Sequence, residues 1–574
     1  MDRSEPSAAC DMRITGKKKS DRESETAPER ELEAVLLLSP FLMGLYYPWT
    51  SALGSVVLAL MLFQRRASLR FSLSPCMAAT SCTVLFLLFG AFRGTDRGMA
   101  LVGAVQFLPL PLYTLLLEQC PPERRMGLFR KMPEAGCLAV LLSLLLGLLP
   151  PVSHWFWVNG RLAGFFQYPN TLAVYLLLCF LQLGIQIRDW PEKNDRGVIR
   201  RVWLETALLL IGIVLTGSKT VLLLLLGVLL LAACLAKNRV RRRWAILLGG
   251  ILLAGGAGYM LLRGPISLST FYGRLLYARD ALPVILKHPL GLGYQGYSWL
   301  QGSFQTGLYS TVHVHNELMQ LLLDAGWIPA GLFVWTILKG FLYPDRGSGR
   351  RLMLGVLCLH CLFDFDTQYP AMCFILLTLS DTAPIGKKSL QPGWTAFAAL
   401  TAALCGIWIG LASFALWAGR PESAVRICPV YTTALVQMLP DAGEAELEEL
   451  SDRILHLNGS AAIAHDGKAR AAFADGRFRE TLEHKLEAIR LRQYDLGEYL
   501  EYLDYLELGW RMYRSSGNRN DAAYCAEKMS EVPAMLNAVK AKTSALGYKI
   551  QEQPNLELPR QYLDLISSRQ QNPA

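Results

Sequence analysis

Apolar runs broken by short charged or Pro/Gly-containing segments repeat through the first three quarters of the chain. Several, such as 136–155, 203–236 and 394–418, approach or exceed the roughly 20 residues that cross a hydrocarbon core of about 30 Å. On this length criterion about 13 spans are predicted: 33–48, 50–63, 76–92, 99–118, 136–154, 169–187, 203–217, 220–236, 244–262, 317–338, 352–367, 370–383 and 394–418. The first two are short. The pattern predicts an all-α, polytopic membrane domain over 33–419.

Two segments depart from it. Residues 1–32 carry Lys17, Lys18 and Lys19 in a Ser/Glu/Arg-rich stretch without apolar period, which reads as a disordered cytoplasmic tail. No small-residue cleavage site follows the first apolar run, which therefore reads as a retained anchor. Beyond Arg420 the chain turns amphipathic. Over 464–492 and 494–513 apolar residues recur at three- and four-residue steps, predicting a soluble α-helical domain over 420–574. Within it, Ala471-Ala472-Phe473 followed by Gly476-Arg477-Phe478 resembles the helix–turn–helix joint of tetratricopeptide-like repeats. The period is imperfect.

Composition agrees: 52% of residues are hydrophobic, 18% are charged and the mean hydropathy is +0.27, which excludes a wholly soluble chain. The net charge of +10 lies in short basic clusters between apolar runs, the arrangement of topology determinants and not of a nucleic-acid face. With the N-terminus inside, alternate loops hold 30 Lys and Arg on the inner side against 8 on the outer. This bias puts Lys219 and the loop 263–316 outside, together with 420–574 if the span count is odd. Most of the 13 cysteines fall in apolar runs, where they act as small hydrophobes. The C-x-x-C at Cys358 and Cys361 sits in a predicted span, and pairing of Cys428 with Cys525 stays open.

Chemistry-bearing residues gather at the outer ends of spans, where ionisable groups mark function by default. The first cluster is 159–170, with Arg161 and, behind Pro169, Asn170; the alternative is a helix-start turn with a snorkelling arginine. The second, Thr216-Gly217-Ser218-Lys219, interrupts an apolar stretch too long for one span, and its Lys219 opposes the charge bias. The long loop 263–316, of a length that favours a functional role, carries Arg274, Arg279 and His288-Pro289-Leu290-Gly291-Leu292-Gly293. A lone G-x-G favours a turn over a phosphate cradle. Third is Val312-His313-Val314-His315-Asn316-Glu317: Asn316 and Glu317 suit a first helical turn, and His315 suits proton transfer near neutral pH. A structural histidine and a zinc site are the rivals. Fourth, His360, Asp364 and Asp366 flank another outer end, as orienting groups for a basic side chain or as packing.

Together the 161–170 segment, Thr216-Gly217-Ser218-Lys219, the 288–293 turn and His315-Asn316 followed by Gly326 resemble the O-antigen ligase and polymerase superfamily of bacterial polyprenol-diphosphate-dependent glycan transferases. The resemblance spans about 159–370 and implies a C-type glycosyltransferase-like membrane fold in the cytoplasmic membrane. It also implies transfer of a glycan from a polyprenyl-diphosphate-linked donor to a hydroxyl acceptor (glycan, lipid or protein) at the extracytoplasmic face, with no metal or other cofactor. His315 would be catalytic. Arg161, Asn170, Lys219, Arg274, Arg279, His313 and Asn316 would bind substrate, and His360, Asp364 and Asp366 would support them. Two positions depart from the family pattern: Lys219 stands where arginine is frequent, and Pro329 where Gly, Thr or Tyr is expected. A transporter of lipid-linked sugars, or a non-catalytic scaffold with a protein partner on 420–574, is the alternative.

Overall fold

The computed structural model describes residues 27–189, 196–236, 239, 242–243, 246–251, 253–255, 268–343, 347–384, 386 and 388–573. Helices dominate, and the strands form two short antiparallel ladders, Arg70–Phe71 with Lys388–Ser389 and Trp157–Val158 with Arg161–Leu162. Among the described residues, four helical stretches have the length and apolarity to cross a membrane: Pro75–Arg93, Ala100–Leu117, Pro169–Arg188 and Pro392–Trp417. The second and third lie mostly inside the bundle, whereas the first and last turn large apolar side chains outward, among them Leu85, Phe92, Trp394 and Phe397. Such rows are unstable in water and at home in hydrocarbon.

Helices Pro48–Gln64, Arg196–Thr216 and Lys219–Leu235 cover the predicted spans 50–63, 203–217 and 220–236 nearly in full, whereas several others are shorter than their apolar runs, because Pro and Gly cut them. The helix Ala27–Leu38 starts inside the predicted tail and stops before Pro40, and two 3-10 turns, Ser39–Phe41 and Met43–Leu45, replace the rest of span 33–48. Residues 1–26 of that tail lie outside the described residues. Span 136–154 becomes Met132–Leu146, ending at Gly147 ahead of Pro150 and Pro151. Pro109 divides Ala100–Phe107 from Pro109–Leu117. Span 244–262 lies partly outside the described residues.

The predicted continuous span 317–338 is broken, which corrects the length-based reading. Glu317–Asp324 and Trp327–Leu342 meet at Gly326, whose φ of +87° favours glycine. A Cβ there would stand 2.5 Å from the Leu290 carbonyl carbon, and one on Gly291 would meet the Asp324 carbonyl oxygen at 2.8 Å. The 288–293 turn is thus locked into the helix break. Trp327 N–H donates to the Pro289 carbonyl at 2.9 Å, and Gly293 N–H to that of Asp324 at 3.2 Å. Nor is the described part of 263–316 an unstructured loop: it carries the helices Ser269–Lys287 and Gly296–Phe304.

Beyond Pro421 eight helices follow one another among the described residues, from Pro421–Ile427 to Arg560–Gln571. Ala462–Ala474 folds back on Phe478–Leu491, and Leu496–Ser515 on Arg519–Lys542. Both hairpins turn at a left-handed glycine, Gly476 and Gly517, with Arg477 N–H donating to Ala472 and Asn518 N–H to Tyr513, each at 2.8 Å. This glycine-terminated closure ends a helix by satisfying its last carbonyls. The domain docks on the side of the membrane bundle that carries 268–316. Thr432 and Asn458 donate to buried Asp96, and Gln493 donates to the Ser303 carbonyl at 3.0 Å. Cys428 and Cys525 are unpaired and lie in different cores, and Cys358 and Cys361 are also free.

Candidate functional site

Three helix ends and one turn meet at Asp364. Pro169 opens Pro169–Asp189, since a first-turn residue needs no backbone donor, and Asn170 and Thr171 follow it in the first turn. Asn316 caps Glu317–Asp324 by accepting from Met319 N–H at 3.0 Å, while its amide donates to the Leu362 carbonyl at 3.0 Å. The cap ties His315 to the 362–369 turn that follows Ser348–Cys361. Arg274 reaches the same point from Ser269–Lys287.

Asp364 is buried and accepts five hydrogen bonds. On one oxygen it receives Asn170 Nδ2 at 2.7 Å and an Arg274 guanidinium nitrogen at 3.0 Å. The other receives the Tyr168 hydroxyl at 2.9 Å, its neighbour Phe365 N–H at 3.1 Å and His315 Nδ1 at 3.2 Å. Burial in this turn would raise its pKa, but the His315 hydrogen bond and the Arg274 charge outweigh burial and hold the carboxyl well below the usual range. An ionised carboxylate only accepts, so His315 carries its proton on Nδ1 toward Asp364. In the neutral ring Nε2 then holds the lone pair. His315 has φ +57°, a left-handed conformation costing a non-glycine residue on the order of 1 kcal/mol. The cap at Asn316 and the bond to Asp364 hold it there, and its ring packs on Phe365 at 5.0 Å.

Arg161 extends the network, donating to Asn170 Oδ1 and to the Thr216 carbonyl, both at 2.7 Å. A Cβ on Gly217 would lie 3.5 Å from Arg161 Nε, so the 216–219 turn sits against this arginine. Behind the turn, Asp366 accepts from Thr171 at 2.8 Å and pairs with His360 Nδ1 at 2.5 Å, and Glu317 accepts from Thr367 N–H at 2.7 Å and from the Thr367 hydroxyl. These buried pairs fix the backbone that presents Asp364. Next to Glu317 and Thr367 a cavity of about 220 Å³ opens among Leu87, Phe107, Leu321 and Ile337.

Arg161, Asn170, Arg274, His315 and Asp364 therefore form one network. Asn316 is a helix cap bound to backbone, and His360 and Asp366 stand one layer behind. His313 is buried, with Nε2 facing the Tyr46 hydroxyl at 3.2 Å, and burial followed by the nearby His315 pushes its pKa down to about 3. It is a neutral packing residue behind His315. Lys219 is exposed at the start of Lys219–Leu235, without a side-chain partner among the described residues. Arg279 is exposed beside Asp280, away from the Asp364 contacts. Sequence reasoning missed Tyr168, whose signal was its place immediately before Pro169-Asn170, and treated Asp364 as peripheral although it is the hub. Among the described residues, Asp466, Glu498 and Glu501 are grouped as metal ligands could be, but the buried Lys485 ammonium already lies among them at 2.8, 2.5 and 2.5 Å.

Comparison with known families adds one finding. Residues 205–335 match the family model described as O-antigen ligase. The match supports the O-antigen ligase and polymerase superfamily and covers the 216–219 turn, Arg274, the 288–293 turn, His315 and Gly326. Arg161, Asn170 and Asp364 lie outside it and join through the fold. With the apolar helices, the match supports a membrane protein with a part in cell-surface polysaccharide biosynthesis. No curated protein and no solved structure matches the chain.

Proposed function

We propose that this protein transfers a glycan from a polyprenyl-diphosphate-linked donor to a hydroxyl acceptor at the extracytoplasmic face of a bacterial cytoplasmic membrane. The observation that carries the reading is the pairing of His315 with buried, ionised Asp364. It points a basic Nε2 away from the carboxylate, inside the region that matches the O-antigen ligase family.

The acceptor hydroxyl gives its proton to His315 Nε2, and its oxygen bonds to the anomeric carbon of the donor sugar. The bond from that carbon to the diphosphate oxygen breaks, the electron pair stays on the diphosphate, and polyprenyl diphosphate leaves. Arg161, Lys219 and Arg274 supply positive charge where the leaving group gains negative charge, the kind of electrostatic stabilisation that lowers such barriers most. Arg279 meets the donor at the rim. The cavity beside Glu317 and Thr367 takes the first isoprene units, and the remaining apolar runs complete about 13 spans. The 420–574 domain, read as a repeat-like stack, offers a surface to the acceptor or a protein partner.

The experiment is transfer by purified protein of radiolabelled lipid-linked oligosaccharide, comparing wild type with His315→Ala. A general base contributes about a hundred- to ten-thousandfold, so the variant loses nearly all transfer while retaining donor binding. A transporter would keep its activity, and wild-type transfer by well-folded His315→Ala would remove the mechanism.

A further inference from the structure

The membrane bundle and the helical domain leave a cleft of about 670 Å³ between them, within the roughly 300–1,000 Å³ typical of ligand sites. Its walls are fixed. A Cβ on Gly302 would stand 1.9 Å from the Leu491 carbonyl oxygen, and one on Gly307 2.7 Å from Gly547 Cα, so backbone rests on backbone at both ends. Between these closures the lining includes Trp299, Gln305, Tyr309, Ser460, Tyr494 and Asn555.

We infer that this cleft binds neutral sugar residues of the acceptor glycan. Sugars present an apolar C–H face and a rim of hydroxyls that both donate and accept. Trp299, part-exposed on the cleft, supplies aromatic surface, backed by the buried Tyr309 and Tyr494 rings, and the amides and hydroxyls of Gln305, Ser460 and Asn555 supply both kinds of hydrogen-bonding group. Gln305 is 4% exposed, and its carbonyl oxygen is buried without a protein partner, an acceptor awaiting a donor. Charge here disfavours an anionic ligand: Arg492 at the edge is bonded to Asp466 and Glu498, and the exposed Asp495 carboxylate, which caps Gly497 N–H, would repel one.

One wall of the cleft is tied to the reaction centre by packed side chains. Tyr309 packs on Tyr277 with ring centroids 4.6 Å apart, and Tyr277 on His315 at 6.1 Å. Asp280 clamps this wall by accepting from Thr306 N–H at 2.8 Å and from the Tyr309 hydroxyl at 3.1 Å. A sugar lying against Tyr309 is therefore separated from His315 by the ring of Tyr277. Naming the occupant as the acceptor rests on the transfer reading; the sugar-binding site itself does not.

The test uses the full-length protein in detergent micelles and, as probe, the oligosaccharide released by mild acid from the lipid-linked pool of the source cells. Saturation-transfer NMR should detect its binding to wild type and to His315→Ala alike. Trp299→Ala and Gln305→Ala remove contacts and Ser460→Trp fills the cleft, so each should weaken binding about tenfold. Each should raise KM for the acceptor by the same factor, with kcat within about twofold. No binding to wild type, or wild-type binding and KM in Trp299→Ala and Ser460→Trp, overturns the inference even where transfer is confirmed. Binding that depends on these residues in a protein that transfers nothing upholds the sugar site and sinks the transfer reading instead.

Discussion

Replacing Asp364 with asparagine keeps the shape of the hub and removes its charge. Every contact to this carboxylate comes from a donor: Arg274 and Asn170 on one oxygen, Tyr168, Phe365 and His315 on the other. An asparagine must set its own NH₂ against one of these groups. If it faces Arg274 and Asn170, donors oppose donors and the arginine loses its counter-ion. If it faces His315, the ring must accept on Nδ1, which moves the ring proton to Nε2 and removes the base. Either orientation defeats the proposed chemistry, so kcat should fall about a hundred- to ten-thousandfold, or about 2.7–5.4 kcal/mol of barrier. Leaving the partly buried Arg274 unpaired should also destabilise the fold, by up to about 3 kcal/mol. The assay is single-turnover release of polyprenyl diphosphate from bound donor, with donor affinity and thermal unfolding measured on the same samples. Wild-type turnover in a folded Asp364→Asn protein would refute the His315–Asp364 pairing as the source of the base.

Three further outcomes are expected. Lys219 is exposed and has no side-chain hydrogen bond or ion pair among the described residues, so Lys219→Ala should cut turnover about tenfold or more without changing thermal stability, and Lys219→Arg should restore it; equal rates in all three would take Lys219 out of the site. Glu507, held by Arg569 and Arg511, has its pKa lowered: burial would raise it, but the two arginines prevail. Its contribution, about 1 kcal/mol, is complete above the unfolded pKa of about 4.3 and is lost as pH falls through the lower folded value. Protection of the amides over 560–571, taken relative to their intrinsic exchange rate at each pH, should therefore fall between neutral pH and pH 3 in wild type, and already be reduced at pH 7 in Glu507→Gln. Finally, a membrane-impermeant maleimide added to intact cells should label Ser310→Cys and spare Ser68→Cys; the reverse would invert the topology.

The sequence carried the class of fold and pointed to most members of the hydrogen-bond network around Asp364, because charge at the end of an apolar run is costly and stands out. Arg161, Asn170, Arg274 and His315 were legible for this reason. Their meeting point was not. Asp364 lies 49 residues from His315 and 90 from Arg274, and no local period links them. His313 and His315 looked alike in an alternating pattern, yet the left-handed turn at His315 separates a buried ring from one facing the site. Apolarity also hid the helix breaks: 317–338 reads as one span by hydropathy, and only the close approach of the 288–293 turn to Gly326 explains why it is two helices. Among the C-terminal helices, Gly476 marked its turn openly, since a left-handed helix end favours glycine.

The most direct test of the central claim is to incubate the purified protein with lipid-linked oligosaccharide and follow the labelled glycan. Wild type should move it to a hydroxyl acceptor with release of polyprenyl diphosphate, and His315→Ala should bind the donor and leave it intact. Glycan that stays on its lipid in the presence of folded wild-type protein and acceptor, or that moves equally well with His315→Ala, would contradict the account.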